Sequence, residues 1–319
     1  MAEFSLKQLE VFTEVAELGS FTRAAQELYL TQSTVSAHVA GLEQALGAQL
    51  FVRETRRQIR LTAEGRRLYP AAKRVLSDCR ELRELVQDEN AEPPLSLGAS
   101  TVPAQYLLPD LLSEFLHRHA GSRYLLRRSD SAGIHELLRS GEIRIGFAGA
   151  VLEPEHLRYA PLAEDRLVLA TENSPRYREL QSRGAWGREL LGEPTVAREE
   201  GSGTDRAVSA YMQSTGFPRE QLHIVARVDS PESIKRMVER GAGVSVLSAL
   251  AVRQEAAEGR LLTFEMDPEG LRRRIYMVWR PDVEYRRLER TFLEETRRWG
   301  REHLRTSAGA KKTEESDID

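Results

Sequence analysis

Two sets of polar residues in this chain have types and spacing that could do chemistry. The first set follows short apolar runs: Ser100-Thr101 after "LSLGA", Gly149 after Phe147-Ala148, Ser202-Gly203-Thr204 in "EEGSGTDRAV", and Asp229-Ser230 before Pro231. A Ser or Thr at such a point caps the helix that follows. Four such points at the carboxyl ends of strands also suit an anion, because free helix N–H groups and hydroxyls point there. Ser100, Thr101, Phe147, Gly149, Ser202, Thr204 and Ser230 are therefore the candidate small-molecule contacts. The second set lies in "LTQSTVSAHVAGLEQ", Leu30–Gln44. Val35, Val39, Leu42 and Leu46 share one helical side, and Ser33, Thr34, Ser36, Ala37, Ala40 and Gly41 share the other. A helix facing only water carries Lys and Glu on its outer side. A bare outer side suits a surface that must be approached closely.

Catalytic chemistry has no comparable support. G-x-G-x-x-G, G-x-x-x-x-G-K-[ST] and G-x-S-x-G do not occur. The chain has one cysteine and seven scattered histidines, so a zinc site and a disulfide framework are excluded, and no cofactor is expected. One cysteine fits a reducing cytoplasm. No window approaches the ~20 apolar residues of a membrane span, and "MAEFSLKQLEVF" lacks the pattern of a secretory signal. A soluble cytoplasmic protein with no membrane partner is expected.

The elements that position the second set begin at Ser5. Ser5 and Gln8 form an S-x-x-Q capping box, and Gly19 is a stop, which predicts a helix to Leu18 with Leu6, Leu9, Phe12, Val15 and Ala16 inward. Ser20 caps a second helix, Phe21 to Leu28, with Ala24, Ala25 and Leu28 inward. Thr31 caps a third, which ends before Gly47. Two short helices with a polar outer face on the second make a helix-turn-helix. A bundle that binds nothing has the same stripe. The neighbouring "RETRRQIRLTAEGRR" decides between them, with six arginines against two glutamates in a chain of net charge -3. Bounded by Leu50-Phe51 and Ile59-Arg60-Leu61, it reads as a two-stranded wing whose arginines flank a duplex. Gln32, Ser33 and Thr34 then sit at the helix start, where base contacts concentrate.

The segment "FTRAAQELYLTQSTVSAHVAGLEQALGAQLFVRETRRQIRLTAEG" resembles the N-terminal signature of LysR-type transcriptional regulators. The matching elements are F-T-x-A-A, T-Q-S-T-V-S, L-E, L-G-x-x-L-F-x-R and L-T-x-x-G. The resemblance implies a winged helix-turn-helix on double-stranded DNA. Gln32, Ser33 and Thr34 would lie in the groove, with Arg53, Arg56 and Arg57 on the wing; Thr31, Ser36 and His38 complete the candidate DNA contacts. Many members carry a basic residue after the helix-three serine, but here Ser36 precedes Ala37. That leaves more of the affinity to His38 or the wing.

Past Leu61, residues Leu68, Ala72, Val75, Cys79, Leu82 and Val86 recur at alternating steps of four and three among charged neighbours. This is a heptad seam, and it predicts a dimer coiled coil rather than packing on its own domain. Cys79 reads as apolar filling of that seam. Pro93-Pro94 ends the helix. Strands are then predicted at Leu95–Ala99, Arg123–Arg128, Ile143–Ala148, Arg166–Leu169, Thr195–Ala197, His223–Val228, Val244–Leu247 and Ile275–Trp279. Helices are predicted at Tyr106–His117, Ile134–Leu138, Asp205–Gln213, Pro231–Arg240 and Glu284–Trp299. This α/β pattern is too long for one small sheet, and a cleft between two lobes is a natural ligand site.

The expected order is a DNA-binding domain over 1–61, a linker helix over 62–91, an effector-binding domain over 92–302 and a disordered polar tail over 303–319. The fold class is an α/β effector-binding domain, two-lobed and like periplasmic binding proteins. An all-α winged helix-turn-helix and a long linker helix precede it. The family resemblance extends through "SGEIRIGFAG", "EEGSGT" and "VERGAGVSVLS". It implies lobes of about Pro94–Asp165 with Met266–Glu302, and Arg166–Glu265, with an inducer between them. The wording is nearest to members linked to sulfur or selenium metabolism and to the cysteine-regulon type, which implies an oxyanion or a small sulfur metabolite, and an anionic effector is expected. A second copy (dimer, then tetramer) and RNA polymerase complete the expected partners. A solute-binding protein or an enzyme with such a cleft is the alternative, and neither has a use for the first ninety residues.

Overall fold

The computed structural model describes residues 4–55, 58–87, 93–218 and 221–314. The chain divides into two units, Met1–Pro93 with Glu136–Ile143, and Pro94–His135 with Arg144–Asp319.

In the first unit Ser5 and Gln8 cap each other reciprocally. The Ser5 hydroxyl accepts the Gln8 N–H at 3.2 Å, and the Gln8 side chain accepts the Ser5 N–H at 2.7 Å. They open helix α1 (Leu6–Leu18), which Gly19 ends in the left-handed conformation. Ser20 caps α2 (Phe21–Glu27) and Thr31 caps α3 (Gln32–Leu46), with Gly47 as the second left-handed stop. Val11, Val15, Ala24, Ala25, Val35 and Val39 form their shared core. The small Ala24-Ala25 pair lets α3 approach α2 closely. Two residues of the predicted stripes are exposed instead of inward: Leu6 is 49% exposed and Leu46 37%. Each lies at a helix end, beyond reach of a covering partner.

The wing is the antiparallel pair β1 (Phe51–Thr55) and β2 (Gln58–Leu61), with Phe51 opposite Leu61. The glutamate of the L-E motif, Glu43, accepts the N–H groups of Leu50 at 2.7 Å and Phe51 at 3.3 Å, which fixes how the chain enters β1. The L-T-x-x-G motif closes the other end. Thr62 donates to the Gln49 carbonyl at 2.7 Å and accepts the Gly65 N–H at 2.9 Å. A Cβ at Gly65 would lie 2.3 Å from the Leu50 carbonyl oxygen, so only glycine fits.

Helix α4 (Ala63–Gln87) follows. Leu68 and Ala72, from the predicted seam, pack with Leu9, Phe12, Leu42 and Leu50. Tyr69 donates to Glu17 at 3.0 Å, and Lys73 pairs with the same carboxylate at 2.7 Å. The start of the seam therefore closes its own domain rather than waiting for a partner. Periodicity identifies the face that must be covered but not what covers it. Val75, next along, is 41% exposed, and Cys79 is half-buried. The side chains of Leu82 and Val86 lie outside the described residues.

The second unit runs β3 (Leu95–Ser100), α5 (Thr101–Tyr106), α6 (Leu108–Arg118), β4 (Tyr124–Ser129), α7 (Ser131–Arg139, of which the part from Glu136 belongs to the first unit), β5 (Ile145–Ala148), β6 (Arg158–Glu172), α8 (Pro175–Ser182), β7 (Thr195–Arg198), α9 (Gly203–Thr215), β8 (Ile224–Val228), α10 (Pro231–Glu239), β9 (Ser245–Ser248), α11 (Ala249–Ala257), β10 (Leu261–Glu265), β11 (Leu271–Trp279) and α12 (Arg287–Glu314). The main sheet has the order β10-β6-β11-β5-β3-β4, with β9 also on β6. Strands β7 and β8 form a separate parallel pair.

Two long antiparallel strands, β6 and β11, serve both lobes, pairing from Leu271–Leu167 through Trp279–Arg158. Ala163 belongs to the core of the first lobe and Leu167 to that of the second. Only the stretch near Arg166–Leu169 of β6 was predictable. Pro161, Glu164 and Asp165 break its apolar run, and Pro161 sits beside a register shift opposite Ile275–Tyr276. Helices α5, α8 and α11 and strand β10 escape sequence reasoning for want of a long periodic run. At the end of the chain the disordered tail needs correction: α12 continues as helix to Glu314, and 315–319 lie outside the described residues. Polar composition alone does not forbid a helix that extends an already nucleated one.

Candidate functional site

Helix α3 presents its start to solvent. The Thr31 hydroxyl accepts the Thr34 N–H at 3.2 Å and lies 2.8 Å from both the Ser33 and the Thr34 hydroxyl oxygens. Gln32, Ser33, Ala37 and Ala40 are exposed, and Thr34, Ser36 and His38 are half-buried. The bare face is narrower than the sequence implies, because a Cβ at Gly41 would lie 2.6 Å from Nε2 of Gln8 on α1. On the wing, Arg53 pairs with Ile59 across the hairpin. The Arg53 side chain and the whole of Arg56 and Arg57 lie outside the described residues.

In the second unit a cleft opens where the two lobes face each other. Its inner half is lined by Ser100, Thr101, Asp130 and Ser131 from the first lobe, by Arg198, Glu199, Ser202, Gly203 and Thr204 from the second, and by Arg273 of β11. Ser100 makes no capping bond to the short helix it precedes, so its hydroxyl is not used locally. The Ser202 hydroxyl accepts the Asp205 N–H at 3.1 Å and caps α9. Arg273 joins the two lobes. Its Nε and Nη2 both lie 2.8 Å from one oxygen of the fully buried Asp165, and its Nη1 donates to Thr204 at 3.1 Å. The other Asp165 oxygen accepts from Ser248 at 2.6 Å. A Cβ at Gly203 would lie 2.9 Å from Arg273 Nη1 and 3.4 Å from the Gly149 carbonyl oxygen, so glycine permits this close approach. Arg198 is buried and forms a two-bond pair with Glu199, each bond 2.7 Å.

The outer half is a cavity of about 360 Å³ lined by Thr101, Arg128, Ser129, Asp130, Glu199, Asp229 and Ser230. Nearby, Tyr106 of α5 donates to Glu232 of α10 at 2.8 Å, a second bond between lobes. Burial opposes ionisation of Glu232, but hydrogen bonds from Lys235 and Tyr106 outweigh it and hold the carboxyl below its usual range.

Residues 6–66 match the family model "Bacterial regulatory helix-turn-helix protein, lysR family", and residues 88–301 match "LysR substrate binding domain". The chain belongs to the LysR family. This LysR-type regulator is 33% identical over 264 residues to the HTH-type transcriptional regulator CfxR of Cupriavidus necator, covering 81% of this chain and 80% of CfxR. It is 31% identical over 280 residues to the RuBisCO operon transcriptional regulator of Allochromatium vinosum, covering 86% and 90%. It is 29% identical over 296 residues to the HTH-type transcriptional activator CmpR of Synechocystis sp., covering 92% and 95%. Among solved structures, the LysR family regulator CbnR shares its fold with a TM-score of 0.64 at 21% identity, covering 93% of this chain and 99% of CbnR. The chain is thus a DNA-binding transcriptional regulator with an effector-binding domain and not an enzyme.

Within this LysR-type regulator the candidate residues separate. Ser100, Thr101, Ser202 and Thr204 meet in the inner half of the cleft, and Ser230 lies in the outer half. Gly149 stands beside Arg273 without lining either half. Phe147 is a correction: it is fully buried in the first-lobe core, edge-on to Phe292 with centroids 6.3 Å apart. It follows the strand alternation inward to α12, whereas Gly149, beyond the strand end, turns to the cleft side. Sequence reasoning missed Arg198, Arg273, Asp130 and Ser131. Arg273 had a usable signal, since period two places it on one face with Leu271 and Ile275.

Proposed function

We propose that α3 enters the major groove of operator DNA with Gln32, Ser33 and Thr34 toward base edges and Thr31, Ser36 and His38 alongside. Arg53, Arg56 and Arg57 of the wing take phosphates. The exposure of the α3 start supports this, as does the likeness to CbnR, which has been solved in complex with its target DNA. The same proposal makes the effector a small molecule with an anionic group seated at Ser100, Thr101, Ser202 and Thr204. The observation that carries it is the convergence of those hydroxyls from both lobes beside Arg273. Sulfur or selenium oxyanions are one chemical class that fits.

Ligand would draw the lobes together by binding the closed state more tightly, since only differential affinity moves such an equilibrium. Lobe geometry would then set the spacing of paired winged helices in a dimer or dimer of dimers. The exposed Val75 and the rest of the seam would supply the pairing face. A contact with RNA polymerase belongs to the same proposal, on the likeness to CmpR, which is named an activator. The site of action would be the cytoplasm. Among the described residues no helix is long and apolar enough to cross a membrane.

Two substitutions test the division of labour. Ser33→Glu places a negative charge at the groove and abolishes the operator footprint while leaving the melting curve intact; an unchanged footprint overturns the groove assignment. Thr101→Val weakens effector binding in calorimetry and spares DNA binding; a normal titration removes Thr101 from the site.

A further inference from the structure

The two halves of the cleft differ in charge. In the inner half both guanidiniums are already neutralised, Arg273 by Asp165 and Arg198 by Glu199. The charges left facing the cavity of about 360 Å³ are the half-buried carboxylate of Asp130, the exposed carboxylate of Asp229 and one exposed guanidinium, Arg128. A wholly anionic ligand filling that volume meets an excess of like charge. Ser131 supplies an independent observation. It opens α7 beside Asp130, lines the inner half and is 1% exposed, and its hydroxyl has no hydrogen-bond partner among the described residues. The large majority of buried hydroxyls in native proteins are paired, so an unpaired one on a cleft wall points to a group supplied from the cleft.

We propose that the effector is amphoteric. Its carboxylate or oxyanion lies at Ser100, Thr101 and Thr204, and a primary ammonium on a short skeleton lies at Asp130 and Asp229. The Ser131 hydroxyl bonds to the ligand between the two ends. This assignment rests on the cleft reading given under the proposed function and adds the second charge to it. Asp130 is suited to the task because one of its oxygens is fixed by the Gly133 N–H at 2.7 Å, which orients the carboxylate.

The test uses the purified full-length chain in thermal-shift and calorimetric titrations. The probes are the protein amino acids, each paired with the α-hydroxy acid of the same skeleton, together with sulfate, sulfite and selenite. The expected result is stabilisation by one or more amino acids, with each matching hydroxy acid about tenfold weaker or more. Asp130→Asn, whose side-chain oxygen still accepts the Gly133 N–H, erases that preference and leaves hydroxy-acid binding unchanged. Stabilisation by hydroxy acids or oxyanions alone, lost in Thr101→Val, overturns the amphoteric assignment and keeps the cleft. No stabilisation by any amino acid also overturns the assignment. Stabilisation insensitive to both Thr101→Val and Asp130→Asn overturns the cleft reading itself.

Discussion

The start of α3 and the effector cleft both gather hydroxyls, and they do so by opposite means. At α3 the participants are neighbours in the chain: Thr31, Ser33 and Thr34 bond within one helical turn and stay at the surface. In the cleft Ser100, Thr204 and Arg273 come from three distant segments, and Arg273 is held by a carboxylate no solvent reaches. The first arrangement needs only a capped helix. The second needs two lobes, two shared strands and a buried ion pair. Substitutions at α3 therefore change binding with little effect on folding, whereas substitutions behind the cleft change both.

Asp165→Asn is the strongest way to break this contrast. It leaves the Arg273 charge buried without a counter-charge, and removing one member of such a pair costs about 3–5 kcal/mol. Urea unfolding should show that loss, and the double replacement Asp165→Asn with Arg273→Met should recover part of it. A loss below about 1 kcal/mol would place the pair with surface ion pairs and dissolve the distinction. Gly65→Ala comes next, since its Cβ would meet the Leu50 carbonyl at 2.3 Å. Overpacking of this kind costs about 1–3 kcal/mol. The loss should appear in the melting of the DNA-binding unit and weaken operator binding without altering effector titrations.

A smaller effect comes from pH. His135 is buried, with Nδ1–H donating to the Ser131 carbonyl at 2.5 Å and Nε2 accepting from Tyr159 at 2.9 Å. Burial holds its pKa below the usual value, with the Ser131 carbonyl opposing. The unfolded chain then takes up the proton first. Stability from this group is present above about pH 6.5 and is lost as pH falls through the lowered value. The melting temperature of the effector-binding unit should decline over that range and decline less in His135→Gln; equal slopes would refute the assignment. The smallest effect concerns Tyr29, in the turn between α2 and α3, 96% exposed with a positive φ of 54°. Tyr29→Asn relieves a conformation that bulky residues resist, and should raise stability by about 0.5–1 kcal/mol. A drop would mean that the ring makes a stabilising contact.

Capping and stop residues made α1, α2, α3 and the wing legible, because a cap and the groups it satisfies lie within four residues. The family motifs had physical content as well: Glu43, Thr62 and Gly65 each fix the junction between α3, the wing and α4. The seam on α4 was legible as apolar but not as to its partner, and Leu68 and Ala72 chose their own domain. In the effector-binding unit, hydroxyls at strand ends were legible as a set. Phe147 was not separable from them, since one residue of shift along a strand reverses the face it presents.

By itself the sequence determined where α1, α2 and α3 begin and end, that strands and helices alternate after Pro94, and that the chain carries a winged helix-turn-helix. These follow from short-range hydrogen bonds and from periods of 3.6 and two. Only the tertiary structure decided that Arg273 reaches Thr204 while held by Asp165, that Phe147 belongs to a core, and that carboxylates line the outer cleft. Such choices rest on contacts between segments far apart in the chain, where local pattern specifies that a face is covered or a charge is paired but not by which residue.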